Sequence, residues 1–187
     1  QAVALHTEGD HLIFIGCRFL GNQDTIYTGA EGTRLLFSHC YIEGTTDFIF
    51  GPSTALFEYC TIHSKRNSYI TAASTPKDVE HGYVFKNCKL TAADGVDKVY
   101  LGRPWRPYAA TAFINCEMGK HICAPGWENW RNPENEKTAR YAEFDNTGEG
   151  SSLAGRVNWS HKLTKKEALK YTIENIFKNC SDWYPFK

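Results

Sequence analysis

Short apolar runs alternate with polar turns along this chain, and one apolar unit recurs. Phe14, Phe37, Phe57, Phe85 and Phe113 each stand three residues before a cysteine: Cys17, Cys40, Cys60, Cys88 and Cys116. An apolar residue follows each cysteine by two positions: Phe19, Ile42, Ile62, Leu90 and Met118. The Phe-x-x-Cys-x-apolar copies are 23, 20, 28 and 28 residues apart. Within each copy, x-Cys-x-apolar reads as strand-like alternation with the cysteine and the apolar residue on one face. Periods of this size mark a solenoid or an array. The units are aromatic or β-branched and bounded by Gly, Asn, Asp and Pro, which argues against helical repeats. The Leu and Asn positions of a leucine-rich repeat are absent. The pattern predicts an all-β, right-handed parallel β-helix, with about one coil per repeat and an internal cysteine ladder at a spacing of roughly 4.8 Å. Five β-sandwich strands with coincidental cysteines are the alternative.

Between the copies, residues 65–79 and 91–98 are rich in Ser, Thr, Asn, Asp and Lys and read as loops. Residues 119–138 carry Pro125, Pro133, Trp127 and Trp130 with little periodicity, and predict a long surface loop. Thr164 and Glu167 have the spacing of a capping box. Ala168, Leu169, Ile173, Ile176 and Phe177 then share one helical face, predicting a C-terminal amphipathic helix over 163–177 that covers the open end of the stack.

Composition narrows the partners. A chain of 187 residues, 42% hydrophobic, supports one core and a single domain over 1–187. Twenty-one basic and 21 acidic residues cancel, so no basic footprint for nucleic acid or for a membrane surface exists. No apolar run approaches the roughly 20 residues of a membrane span. Seven cysteines cannot all pair within one chain, and none are spaced as zinc ligands. The first residue is Gln1 rather than Met, as expected of a processed chain or a piece of a longer one.

The chemistry concentrates in three stretches. Gly44-Thr45-Thr46-Asp47-Phe48-Ile49-Phe50-Gly51 sets one acid in an apolar run, where a carboxylate is costly to bury without a partner. Gly21-Asn22-Gln23-Asp24-Thr25-Ile26-Tyr27 precedes it and Tyr100-Leu101-Gly102-Arg103-Pro104-Trp105 follows. Asp24 and Asp47 are 23 residues apart, the interval between Cys17 and Cys40, so stacked coils bring the two carboxylates together. Gln1 and Gln23, 22 apart, fall in near register. Two close carboxylates do not both ionise easily, and an arginine on one of them selects the anion. An anionic nucleophile, a protonated acid and two amide donors suit ester hydrolysis. A buried ion pair flanked by satisfied amides fits the same spacing.

These segments resemble the signature segments of pectin methylesterases: Gln-Ala-Val-Ala-Leu (1–5), Gly-Asn-Gln-Asp-Thr-Ile-Tyr (21–27), Asp-Phe-Ile-Phe-Gly (47–51) and Leu-Gly-Arg-Pro-Trp (101–105). Phe144-Asp145-Asn146-Thr147-Gly148, Arg156-Val157-Asn158-Trp159 and the 163–177 helix resemble that family too, so the match runs in order over nearly the whole chain. The resemblance implies a secreted parallel β-helix that removes methyl esters from polygalacturonate in pectin, without metal or cofactor. It implies Asp47 as nucleophile and Asp24 as acid, later base. Gln1 and Gln23 would stabilise the oxyanion, and Arg103 would hold Asp47 ionised. Trp105, with Tyr27, Phe50 and Trp127, would line the sugar groove. In the family several coils precede the segment that here starts at Gln1, so N-terminal coils are expected to be lacking, and a preceding segment of the same protein is the expected partner.

Three rivals compete. A polygalacturonase also uses paired carboxylates but has no evident need for an arginine clamped on one. A Ca²⁺-dependent pectate lyase needs clustered acidic oxygens, and the active segments offer Asp24, Asp47 and Glu43 alone. A non-catalytic β-helix would bind polysaccharide without the acid pair. A serine esterase is disfavoured, because Gly150-Ser151-Ser152-Leu153-Ala154 misses the final glycine of the nucleophile motif. Asn158-Trp159-Ser160 and Asn179-Cys180-Ser181 match the short glycosylation pattern.

Overall fold

The computed structural model describes residues 1–178 and 182–185. Its strands wind in successive coils of three: β1 (Leu5–Thr7), β2 (Leu12–Ile15) and β3 (Arg18–Leu20), then β4 (Ile26–Thr28), β5 (Arg34–Ser38) and β6 (Tyr41–Gly44). Next come β7 (Ile49–Gly51), β8 (Thr54–Glu58) and β9 (Thr61–Ser64), and then β10 (Tyr69–Ala73), β11 (Tyr83–Lys86) and β12 (Lys89–Ala92). β13 (Tyr100–Gly102), β14 (Ala110–Ile114) and β15 (Glu117–Met118) complete the coils, and β16 (Arg140–Phe144) and β17 (His161–Lys162) extend one wall. Like strands pair in parallel, giving three walls. The first is β1-β4-β7-β10-β13, the middle β2-β5-β8-β11-β14-β16-β17 and the third β3-β6-β9-β12-β15. This is a parallel β-helix.

The phenylalanine repeat forms the spine of the core. Phe14, Phe37, Phe57, Phe85 and Phe113 are in register on the middle wall. Their rings stack at 4.4–4.9 Å between centroids. Burying each contributes roughly 1.5–3 kcal/mol.

Each cysteine shares the core-facing side with the apolar residue two positions on, as Cys40 and Ile42, Cys60 and Ile62, Cys88 and Leu90, and Cys116 and Met118 are all buried, but the phenylalanine three before it lies round a corner. The residue before each cysteine is in the left-handed region: Gly16 (φ 64°), His39 (54°), Tyr59 (53°), Asn87 (54°) and Asn115 (54°). Such a residue turns the chain sharply, so the phenylalanine lies in the middle wall and the cysteine in the corner that leads to the third. The strain is offset by a bond from the turned N–H to the next coil, as in His39 to the Glu58 carbonyl at 2.9 Å and Asn87 to the Ile114 carbonyl at 3.1 Å. The thiols donate one coil back: Cys40 to the Phe14 carbonyl (3.4 Å), Cys60 to Phe37 (3.4 Å), Cys88 to Phe57 (3.3 Å) and Cys116 to Phe85 (3.5 Å). All four are unoxidised.

The repeat continues once more under different residues. Glu143 pairs with Phe113 in register, Asp145 is left-handed (φ 48°), and Asn146 takes the cysteine's place. Its amide donates to the Phe113 carbonyl at 3.2 Å and its oxygen accepts from the Cys116 N–H at 2.9 Å. Residues 119–138 and 148–159 close this end, and Arg156 reaches in to Glu143.

Two expectations for the chain's layout are corrected. Residues 65–79 are not all loop, because Tyr69–Ala73 is β10, in register with β7 through Thr71 and Ile49. The C-terminal helix is two short ones, α1 (Lys165–Ala168) and α2 (Ile173–Phe177). Thr164 and Glu167 do make the capping box, but Thr172 starts a second cap eight residues on, accepting from the Asn175 N–H at 3.2 Å. Leu169 is exposed rather than packed. The helices also cover a side, not the end: Leu163, Ile176 and Phe177 pack on Leu36, Leu56, Val84, Ala112 and Ala142 of the middle wall's outer face. Asn158 is exposed, whereas Asn179-Cys180-Ser181 lies outside the described residues.

Candidate active site

The first wall carries the site. Asp24 enters β4 and Asp47 enters β7 one coil later, and both are left-handed, at φ 63° and 49°. Aspartate tolerates this conformation better than most residues. Each is tied to the next coil: the Asp24 N–H donates to the Thr46 carbonyl (3.1 Å) and the Asp47 N–H to the Tyr69 carbonyl (2.9 Å). Gly44 permits the tight entry before Asp47, since a Cβ there would lie 2.2 Å from the Phe48 Cβ. Two coils on, a Cβ on Gly102 would lie 2.0 Å from the Thr71 hydroxyl, so glycine lets the strand leading to Arg103 lie against β10.

Arg103 then reaches back to Asp47. Its Nε donates to Oδ1 at 3.0 Å and its Nη2 to Oδ2 at 2.6 Å, a two-point fork. The guanidinium is held between two rings, 4.0 Å from the centre of Tyr69 and 3.8 Å from that of Trp130. Its position is therefore fixed by charge on one edge and by aromatic faces on both sides.

Gln1, Gln23, Asp24, Asp47, Phe50, Ala72, Arg103, Trp105 and Trp130 line one open cleft of about 240 Å³. Burial raises the Asp47 carboxyl above the ordinary aspartate range, and the Arg103 fork opposes that rise. Asp24 is also raised, first by burial and then by the charge of Asp47, while a hydrogen bond from Gln1 works the other way. Tyr27, expected in the groove, does not line the cleft but stacks behind Phe50 at 4.7 Å. Trp105 meets both edge-on, at 6.4 and 5.8 Å. Glu43 is elsewhere, on the third wall with Tyr41 and Lys65. Among the described residues no group of three or more His, Cys, Asp or Glu is placed to hold a metal ion.

A second expected groove residue is not there. Trp127 is 1% exposed, stacks on Tyr141 at 4.2 Å and donates its Nε1–H to Glu143 at 3.2 Å. It is core. Trp130, three residues later, is the tryptophan at the cleft. The sequence carries no signal that separates the two, since Pro125-Gly126 before Trp127 is as turn-forming as Asn129, Asn132 and Pro133 around Trp130.

The Pectinesterase family model matches residues 1–180. The chain belongs to the pectinesterase family. It is 45% identical over 169 residues to Pectinesterase 31 of Arabidopsis thaliana, a match covering 90% of this chain and 53% of that protein. The solved structure of pectin methylesterase from carrot superposes with a TM-score of 0.92 at 30% identity, covering 100% of this chain and 64% of that one. A pectin methylesterase in complex with a hexasaccharide gives 0.82 at 30% identity, covering 100% and 62%. The chain thus spans about half the length of Pectinesterase 31 and as little as 30% of the length of other curated pectinesterases it matches.

Proposed function

We propose that this pectinesterase-family chain hydrolyses the methyl esters of galacturonate in pectin through a covalent intermediate on Asp47. The observation that carries the reading is the Arg103 fork on Asp47 beside a second carboxyl, Asp24, in an open aromatic-walled cleft. Both oxygens of Asp47 accept N–H bonds, an arrangement that favours its anion. Asp24 has no such fork and lies beside that anion, so it holds the proton.

In the first step an Asp47 oxygen attacks the ester carbonyl carbon. The resulting oxyanion accepts hydrogen bonds from the Gln1 and Gln23 amides. The tetrahedral species collapses, the C–O bond to the methoxyl breaks, and Asp24 gives its proton to the departing methanol. An anhydride between Asp47 and the galacturonyl group remains. Asp24, now anionic, takes a proton from water, whose oxygen attacks the galacturonyl carbon. Cleavage returns Asp47 as carboxylate, Asp24 as acid, and a galacturonic acid unit of the polymer, which releases its proton to solvent.

Phe50 and Trp105 line the cleft and suit contact with sugar rings, whereas Tyr27 supports Phe50 from behind, its own faces taken by His6 and Phe50. The hexasaccharide-bound relative supports a polysaccharide substrate. A wall polysaccharide substrate goes with an extracellular place of action, and among the described residues no helix is long and apolar enough to cross a membrane. Methanol release from highly methylated pectin tests the reading, with activity expected to be undiminished in excess EDTA. A Ca²⁺-restored activity yielding an ultraviolet-absorbing unsaturated product would indicate a lyase instead.

A further inference from the structure

We propose that Glu128 is a positioning residue of this site: its carboxylate holds the 128–131 turn that presses Trp130 onto the Arg103 guanidinium. The inference rests on the reading of Arg103 as part of the catalytic machinery. Three observations carry it.

The first is backbone conformation. Trp130 and Arg131 are successive non-glycine residues in the left-handed region, at φ 60° and 55°. Such a pair is unfavourable and persists only where surrounding groups hold it. The second is what holds it. Glu128 Oε2 accepts the Trp130 N–H at 2.9 Å and Oε1 accepts the Arg131 N–H at 3.1 Å, so one carboxylate satisfies both strained amides. The third is where the turn is anchored. The Glu128 N–H donates to the Gly102 carbonyl at 3.2 Å, and Trp127 bridges to Gly102 as well. Gly102 is the residue before Arg103. One short loop therefore touches the arginine twice, through the backbone that presents it and through the ring that covers it.

Without the Trp130 ring the guanidinium keeps Tyr69 on one face and opens to water on the other. An arginine free to swing loses the two-point geometry on Asp47, and misplacements of about 1 Å at such sites cost up to about 100-fold in rate. Glutamine at 128 retains one acceptor in place of two, and alanine retains none. Glycine at 131 adopts positive φ without assistance. These differences make the proposal testable.

The test compares wild type, Glu128→Gln, Glu128→Ala, Trp130→Ala and Glu128→Ala/Arg131→Gly. Two readouts are taken: methanol release from methylated pectin, and the NMR position of the Arg103 Nε–H, which the Trp130 ring face shifts. The expected result is a kcat about 10- to 100-fold lower in Glu128→Ala, a smaller loss in Glu128→Gln, and little change in KM or melting temperature. The Arg103 Nε–H should move in Glu128→Ala as it does in Trp130→Ala. Arg131→Gly should restore both the resonance and most of the rate. Glu128→Ala with unchanged kcat and an unchanged Arg103 resonance would overturn the proposal. So would equal losses in Glu128→Gln and Glu128→Ala with no rescue by glycine, which would assign the effect to charge alone. If wild type releases no methanol, the proposed function fails, while the resonance comparison still decides whether Glu128 positions Trp130.

Discussion

Two carboxylate–arginine pairs in this molecule have nearly the same geometry and opposite surroundings. Arg103 forks Asp47 at 3.0 and 2.6 Å, and Arg156 forks Glu143 at 2.8 and 3.1 Å. The Glu143–Arg156 pair is sealed, with side chains 2% and 5% exposed. Its remaining capacity is used inside the protein. Trp127 donates to Glu143, and Arg156 donates to the carbonyls of Cys123, Ala124 and Gly150. The Asp47–Arg103 pair is 8% and 20% exposed, and it faces a cleft that holds a second acid. Asp47 is also left-handed, whereas Glu143 lies within a regular strand. A fork alone does not distinguish a structural ion pair from a catalytic one. What sets the Asp47–Arg103 pair apart, and supports the catalytic role proposed for it, is the open face, the neighbouring Asp24 carboxyl and the local backbone strain.

The sharpest way to separate the pairs is to remove one carboxylate at a time. Asp47→Asn should lower methanol release by about 10⁴-fold or more while leaving circular dichroism unchanged, because it deletes the attacking oxygen. Glu143→Ala should instead destabilise the fold by about 3–5 kcal/mol in denaturant unfolding, by leaving Arg156 buried without its partner. Activity per folded molecule should survive. If both variants lose activity in proportion to stability, Asp47–Arg103 is a structural pair like the other.

The two tryptophans of the 119–138 loop extend the contrast. Trp127→Ala should cost about 3–5 kcal/mol of stability, as a large buried ring removed from the core does. Trp130→Ala should leave the melting temperature near wild type and lower kcat. The reverse pattern would assign the core position to Trp130 and the cleft position to Trp127.

Asp24→Asn should show the smallest effect on the fold, and its sign is informative. A carboxyl raised by burial and by Asp47 binds its proton more tightly folded than unfolded. Stability from this group is therefore complete below the ordinary aspartate value of about 3.9 and is lost as pH rises through the raised value. Asparagine avoids that loss. The variant should melt slightly above wild type at neutral pH, with the difference vanishing at low pH, while turnover falls by about 10²–10⁴-fold for want of a proton donor. A variant less stable than wild type at neutral pH would mean that Asp24 is held as a stabilised anion.

Much of this was legible in the sequence, for a definite reason. In a parallel stack, equivalent residues recur at the coil period, so the 23-residue interval between Cys17 and Cys40 also relates Asp24 and Asp47. The misreadings have physical causes too. The left-handed residue before each cysteine is Gly, His, Tyr, Asn or Asn, a set with no shared side-chain chemistry, so the corner looked like part of a strand. The last copy of the repeat was hidden because Glu143 and Asn146 replace Phe and Cys. β10 does not stand out in the sequence because Tyr69-Ile70-Thr71-Ala72-Ala73 lacks the Phe-x-x-Cys unit and is set among polar residues. Trp127 and Trp130 are the same residue type three positions apart, and only the bridge from Trp127 to Gly102 decides which one turns inward.

The central claim is that Asp47 forms the covalent intermediate, and chemical trapping tests it most directly. Borohydride added during turnover on methylated pectin would reduce an anhydride at the aspartyl carbonyl, releasing galacturonate and leaving homoserine. Peptide mass spectrometry then locates the modified position. The expected result is substrate-dependent homoserine at position 47 and unmodified aspartate at position 24. Homoserine at position 24 with position 47 intact would contradict the account.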